Sequence, residues 1–203
     1  MENSIVEMKR KLRTDMRRQL KALQANPRLR ERYIIDTMEQ VRLHSDWQRA
    51  ENILCYSSLP DEFDTARLIE MFRDRGKQVL LPRVVGDDLE LRYYEPDKVA
   101  PGAFGILEPT EEARLFNPDE DVIQLALIPG LAFTRKGERL GRGRGYYDRL
   151  IPKIKLGCSI FGICYPFQVV PSLPTEPWDV RMDRILYSAP YTEEQIARLY
   201  APL

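Results

Sequence analysis

The chain has 203 residues, and its 31 Lys and Arg balance its 31 Asp and Glu, so the formal charge is zero. That length suits one sizeable domain rather than two, and a neutral balance excludes a chain-wide attraction to nucleic acid or to an anionic membrane, so any anion site must be local. No apolar run approaches the roughly 20 residues of a membrane helix, and the N-terminal MENSIVEMKRKLR carries no secretory hydrophobic segment; the expectation is a cytoplasmic protein, with no membrane or nucleic-acid partner, of a size and neutrality that suit a monomer.

Ile5, Met8, Leu12, Met16, Leu20 and Leu23 recur every three or four residues, which predicts an N-terminal helix flanked by Lys9, Arg10, Lys11, Arg13, Arg17 and Arg18. A basic flank of this kind ordinarily faces water. A second helix is predicted after Asn26-Pro27, through Leu29, Ile34, Met38 and Val41. The texture then changes to short apolar runs at 52–57 (NILCYS), 78–83 (QVLLPR), 124–130 (QLALIPG), 159–165 (SIFGICY) and 184–188 (RILYS). With helices at 64–75, 144–151 and 192–200 between them, these are the buried strands of an α/β domain with a mainly parallel sheet. LELRYYE at 89–95 alternates and follows VGDD, which predicts an antiparallel hairpin with 78–83 at one edge. The segment 96–118 holds four prolines and is expected to be a long functional loop.

Cys55, Cys158 and Cys164 are odd in number and sit in apolar runs, as reduced core thiols do. His44 is the only histidine, which argues against a His/Cys metal site and against a Ser-His-Asp triad. Any metal would need oxygen ligands.

GERLGRGRGYYDR, residues 137–149, stands apart. It follows the strand at 124–130 and leads into a predicted helix, where unpaired N–H groups and the positive end of the helix dipole suit phosphate oxygens. Gly141, Gly143 and Gly145 would permit positive φ and close approach of the backbone to a ligand. A tight turn would account for the glycines alone. Arg139, Arg142 and Arg144, crowded into six residues with no acid among them, repel one another unless an anion sits there. The pattern is neither GxxxxGK[ST] nor GxGxxG directly after a strand. Asp148 fits either an ordinary helical ion pair with Arg144 or a magnesium ligand beside phosphate.

The run PGLAFTRKGERLGRGRGYYDRLI resembles the signature of the 5-formyltetrahydrofolate cyclo-ligase family. The resemblance extends to KRKLR, YSSLPDEFDT, LPR, FGILEP and FQVVPSLPTEPWDVRMDRIL. It implies conversion of 5-formyltetrahydrofolate to 5,10-methenyltetrahydrofolate with ATP and Mg²⁺: the formyl oxygen attacks the γ-phosphate, N10 closes the ring on the resulting N5-iminium phosphate, and phosphate leaves. Such chemistry needs mainly positioning and charge neutralisation, so the lack of a histidine base is no obstacle.

By the same resemblance, ATP falls to the basic motif Lys9, Arg10, Lys11, Leu12 and Arg13, and to the loop Arg139, Leu140, Gly141, Arg142, Gly143, Arg144, Gly145, Tyr146 and Tyr147. The folate falls to Ser57, Glu62, Phe104 and, within the loop, Arg142 to Tyr146; Arg142, Arg144 and Tyr146 are implied to be catalytic. Asp148 and Asp183 match two magnesium-associated aspartates that would converge in the fold. Without the family, Asp183 would be a strand-edge acid paired with Arg181 or Arg184. Arg144 stands where many members have lysine, and Phe104 where some have tryptophan; a phenyl ring still stacks on a pteridine, with less area. Arg83, at the end of the second strand, would orient the nucleotide or the folate tail. A relative acting on another substrate and a folate- or nucleotide-binding protein without turnover are the alternatives, and both are disfavoured by the presence of Glu62, Tyr146, both aspartates and every loop arginine.

Overall fold

The computed structural model describes residues 2–201. Its first helix, α1 (Glu2–Gln24), buries the second half of the expected stripe, Met16, Leu20 and Leu23, whereas Met8 is exposed and Lys9 is buried instead. In α2 (Pro27–Leu43), Pro27 sits in the first turn, where its fixed φ suits a helix start and its missing N–H costs nothing. A short α3 (Ser45–Arg49), capped by the His44 ring accepting from the Asp46 N–H, buries Trp47. Then come β1 (Asn52–Leu54), α4 (Ala66–Asp74), β2 (Gln78–Val85), β3 (Asp88–Tyr93), β4 (Val99–Pro101), β5 (Leu107–Pro109), β6 (Leu125–Ile128), β7 (Ala132–Phe133), β8 (Arg139–Leu140), α5 (Tyr146–Ile154), β9 (Ser159–Ile163), β10 (Arg184–Leu186) and α6 (Glu193–Tyr200).

Six strands form one sheet in the order β10-β9-β6-β1-β2-β3. All neighbours run parallel except β2 and β3, which pair antiparallel from Leu80 opposite Tyr93 to Val85 opposite Asp88, as the edge hairpin expected from the alternation of 89–95. Successive side chains of a strand point to opposite faces, and the core divides accordingly. Ile53, Val79, Leu81, Leu125, Leu127 and Phe161 pack under α1, α2, α3 and α4, while Leu54, Leu80, Ala126, Ile128 and Ile160 pack under α5. Both faces are covered, which is why the strands are continuous apolar runs. Two small hairpins, β4 with β5 and β7 with β8, stand apart from the sheet. The first lies inside the segment expected to be a bare loop. No described helix is long and apolar enough to cross a membrane.

From β1 the chain crosses through α4 on one face to β2, and from β6 it crosses through α5 on the other face to β9. β1 and β6 are neighbours. The order of the sheet therefore reverses between them, and the loops that leave their carboxyl ends diverge around a crevice, the place where open α/β sheets bind ligands. The two loops are 55–65 and 129–145.

Candidate active site

At that crevice the glycine segment builds two adjoining cavities. β6 ends at Ile128; Pro129 and Gly130 lead into the β7–β8 hairpin, and residues 141–145 connect the hairpin to α5. Gly145 is the cap of α5 with φ +70°, and Gly143 has φ +105°, so both occupy backbone that a Cβ disfavours. Gly141 does not have positive φ, contrary to the expectation for all three. Its need is space, because a Cβ there would lie 2.9 Å from Arg139 Nη1.

The inner cavity, of about 280 Å³, is walled by Leu59, Pro129, Phe104, Tyr146 and Tyr147, with Glu62, Arg142, Arg144 and Arg17 as its charged groups. The outer cleft, of about 460 Å³, is walled by Lys9, Arg13, Leu140, Gly143, Arg149, Glu176 and Asp179, with Val6 and Trp178. Arg139, Gly141, Gly145 and Asp148 line both. The inner cavity is the more aromatic, with Glu62 and Asp148 among the arginines; the outer cleft sets Lys9, Arg13, Arg139 and Arg149 against Asp148, Glu176 and Asp179, and the start of α5 lies at the wall between them.

Arg142 ties the two loops together. Its Nε donates to Glu62 Oε1 at 2.8 Å and its Nη2 to Asp61 Oδ1 at 2.5 Å, while Glu62 Oε2 accepts from the Leu59 N–H. Burial works against the Arg142 charge, but the hydrogen bond to Asp61 and the charge of Glu62 outweigh it and raise its pKa. Arg139, nearly all of it buried, donates to Asp148 Oδ1 at 2.5 Å and to the Pro129 carbonyl at 3.2 Å, and its Nε has no partner. Asp148 thus pairs with Arg139, not with Arg144 one helical turn away. Arg144 lies over the Phe104 ring, 5.8 Å from its centroid, and Phe104 itself holds φ +61°. Burial, and after it the negative charge of Glu62, push the Tyr147 phenol far above its ordinary range, so it stays protonated. Tyr146, half-buried, reaches the Gly86 carbonyl at 3.4 Å.

On α1, Lys9 and Arg13 are four residues apart and share the face that meets the cleft. Lys9 Nζ donates to Glu176 at 2.7 Å and to Asp179 at 2.8 Å. Burial opposes its charge, and the hydrogen bonds to Asp179 and Glu176 prevail, raising its pKa. Arg13 Nε donates to the Gly141 carbonyl at 3.0 Å. Burial first, then the nearby Arg17 charge, lower the Arg13 pKa, as befits a cation poised for an anion that is not a protein carboxylate.

Several expected residues lie elsewhere. Arg10 and Lys11 are rotated away from the cleft by the helical period; Arg10 pairs with Glu7 in solvent, and Leu12 packs on the core. Arg83 pairs with Glu111 and Glu90 and lines neither cavity. Asp183 does not meet Asp148. Its Oδ2 accepts from the Ile160 N–H at 2.8 Å at the amino end of β9, so its carboxylate closes a strand end rather than pairing with Arg181 or Arg184. Ser57 faces a smaller cavity beside the inner one, shared with Glu62, Phe104 and Tyr146. The residues that sequence reasoning missed are Asp61, Glu176, Trp178 and Asp179. All four lie within quoted runs, but only their pairing across the fold gives them roles.

Among the described residues no group of three or more His, Cys, Asp or Glu is placed to hold a metal. A single carboxylate can serve Mg²⁺ when phosphate oxygens and water complete its shell, and Asp148, half-exposed on the shared wall, fits that demand.

The model of the 5-formyltetrahydrofolate cyclo-ligase family matches residues 5–188. A 5-formyltetrahydrofolate cyclo-ligase of Haemophilus influenzae is 33% identical over 181 residues, 86% of this chain and 96% of that protein. A probable 5-formyltetrahydrofolate cyclo-ligase of Schizosaccharomyces pombe is 30% identical over 179 residues, 81% of this chain and 85% of that one. The solved structure of a 5,10-methenyltetrahydrofolate synthetase from Aquifex aeolicus superposes with a TM-score of 0.76 at 29% identity, covering 88% of this chain and 89% of that chain.

Proposed function

Because the chain belongs to the 5-formyltetrahydrofolate cyclo-ligase family, we propose that it closes the imidazoline ring of 5-formyltetrahydrofolate at the expense of ATP, releasing 5,10-methenyltetrahydrofolate, ADP and phosphate. The observation that carries this reading is the pair of cavities sharing one wall: an aromatic cavity with the largely shielded Glu62 carboxylate suits a pterin, a glycine-lined cleft bordered by Lys9, Arg13 and the loop backbone suits a polyphosphate, and the shared wall is where a phosphoryl group would pass.

In the inner cavity, Tyr146, Tyr147 and Phe104 offer faces to the pteridine, and Glu62 offers an acceptor to its amino-pyrimidine edge. In the outer cleft, Lys9, Arg13 and the 141–145 backbone bind phosphates. The formyl oxygen attacks the γ-phosphorus as the bond to the ADP oxygen breaks, giving an N5-iminium phosphate. N10 then adds to the iminium carbon, its proton passes to solvent, and phosphate departs with the former formyl oxygen. Arg144, free of any carboxylate partner among the described residues, neutralises the moving phosphoryl group. Arg142 is pinned by Asp61 and Glu62 and sets the position of the Glu62 carboxylate that faces the pterin. Mg²⁺, when bound, offsets phosphate charge, and Asp148 is the residue that would hold it. A cytoplasmic, monomeric enzyme belongs to the same proposal.

The test is absorbance in the methenyltetrahydrofolate band after mixing protein, 5-formyltetrahydrofolate, Mg²⁺ and ATP. A rise that requires ATP is the expected result. No rise, with ATP bound, would leave the cleft as read and refute the folate.

A further inference from the structure

The outer cleft is lined by more than its phosphate-binding groups. Beside Lys9, Arg13 and the glycines stand two apolar side chains from distant parts of the chain, Val6 on the second turn of α1 and Trp178 on the segment before β10. Trp178 is 65% exposed and Val6 56%. Single exposed apolar side chains are ordinary, but a tryptophan left in water on the rim of a polar cleft forgoes the burial its large surface favours.

Its position is held firmly. The turn 176–179 is closed by the Asp179 N–H donating to the Glu176 carbonyl at 3.0 Å and by the Glu176 N–H donating to Asp179 Oδ2 at 2.8 Å. Lys9 then fastens both acids of that turn to α1. The same lysine therefore borders the cleft and fixes the turn that carries the indole.

Resting on the proposed function, we infer that Trp178, with Val6 beside it in the cleft lining, is the stacking surface for the purine base of the nucleotide. A triphosphate seated on Lys9, Arg13 and the glycine loop extends its nucleoside along the cleft, and an indole face is the strongest stacking partner available there. Stacking rewards ring area, so purine triphosphates bind better than pyrimidine ones.

The experiment measures binding of ATP and of inorganic tripolyphosphate, both with Mg²⁺, by calorimetry to the full-length wild type, Trp178→Ala and Trp178→Phe. Base stacking predicts that Trp178→Ala weakens ATP about tenfold and leaves tripolyphosphate unchanged, while Trp178→Phe recovers most of the loss. Fluorescence gives a second readout. The chain has two tryptophans, and Trp47 is buried against Phe72, so ATP should quench emission that Trp178→Phe abolishes, and tripolyphosphate should not quench it. Equal losses for both ligands, or no loss for either, overturn the inference. Failure of both ligands to bind the wild type sinks the phosphate cleft itself and the proposed function with it, whereas ATP binding without methenyl formation would refute only the folate reading.

Discussion

Gly162, in the middle of β9, tests how tightly the sheet supports the site. A Cβ built there would sit 2.5 Å from Phe133 Cε1 and 2.8 Å from Ile185 Cδ1, where ordinary contacts are 3.4–4 Å. Phe133 is fully buried, and the adjoining edge of its ring faces Gly130, whose own Cβ position lies 2.5 Å from Phe133 Cζ. The ring has no exposed face, so it cannot swing into solvent to make room. Gly162→Ala should therefore cost about 1–3 kcal/mol of overpacking, lowering the melting temperature by about 2–4 °C for each kcal/mol in a domain of this size. Gly130 lines the inner cavity, so a displaced ring should also raise the KM for the folate. Phe133→Leu alone should cost about 1–2 kcal/mol for the space it leaves, and the double variant should be more stable than the sum of the two by about 1 kcal/mol, because the shorter side chain makes room for the new methyl. Urea titrations of the four proteins decide it. Additive losses would mean that Phe133 and Gly162 are not packed against each other as described.

Glu62→Gln exchanges a charged acceptor for a group whose amide competes with the Arg142 donors, and should raise the folate KM about 10-fold or more; an unchanged KM removes Glu62 from the pterin site. Arg144→Ala should lower kcat about 100-fold with little change in either KM, since its charge is needed when the phosphoryl group moves; a loss confined to KM refutes that role. The thiols of Cys55 and Cys158 are pushed up to about 12 by burial, and burial raises Cys164 as well, so a chromogenic disulfide reagent should titrate none in the folded protein and three in urea. Asp46 is held below its ordinary value chiefly by the hydrogen bond from Ser159, 2.8 Å away, which outweighs its burial. Its contribution is therefore present above pH 3.8 and lost as the pH falls through the lower, folded value; Asp46→Asn should cost about 1 kcal/mol at neutral pH and nothing in strong acid, as read from denaturation midpoints.

The parallel strands were legible because burial on both faces makes each one an uninterrupted apolar run, and the glycine loop because its residues are neighbours in the chain. β7 and β8 were not, since two-residue strands carry no periodicity. On α1 the apolar stripe misled at Met8, which is exposed, because the face near the N-terminus is given to Lys9 and the cleft rather than to the core. The acids that hold Lys9 are 167 and 170 residues away, and nothing in local pattern announces such a partnership. Asp183 shows the opposite case: its carboxylate accepts from a nearby backbone N–H at a strand end, a partner that side-chain pattern does not mark. The crevice between β1 and β6 follows from the crossing pattern, but only once the strand order is known.

The clasp between Lys9 and the 176–179 turn has a consequence for biosynthesis. Residues from the first helix, the middle loop and the late turn all border the outer cleft, so a nascent chain holds no complete cleft until nearly its whole length has emerged. Contacts of such long sequence separation are formed late, because the chain between them must first be ordered. If the cleft takes ATP as proposed, the nucleotide should add to the stability of the native state without assisting any shorter intermediate on the way to it.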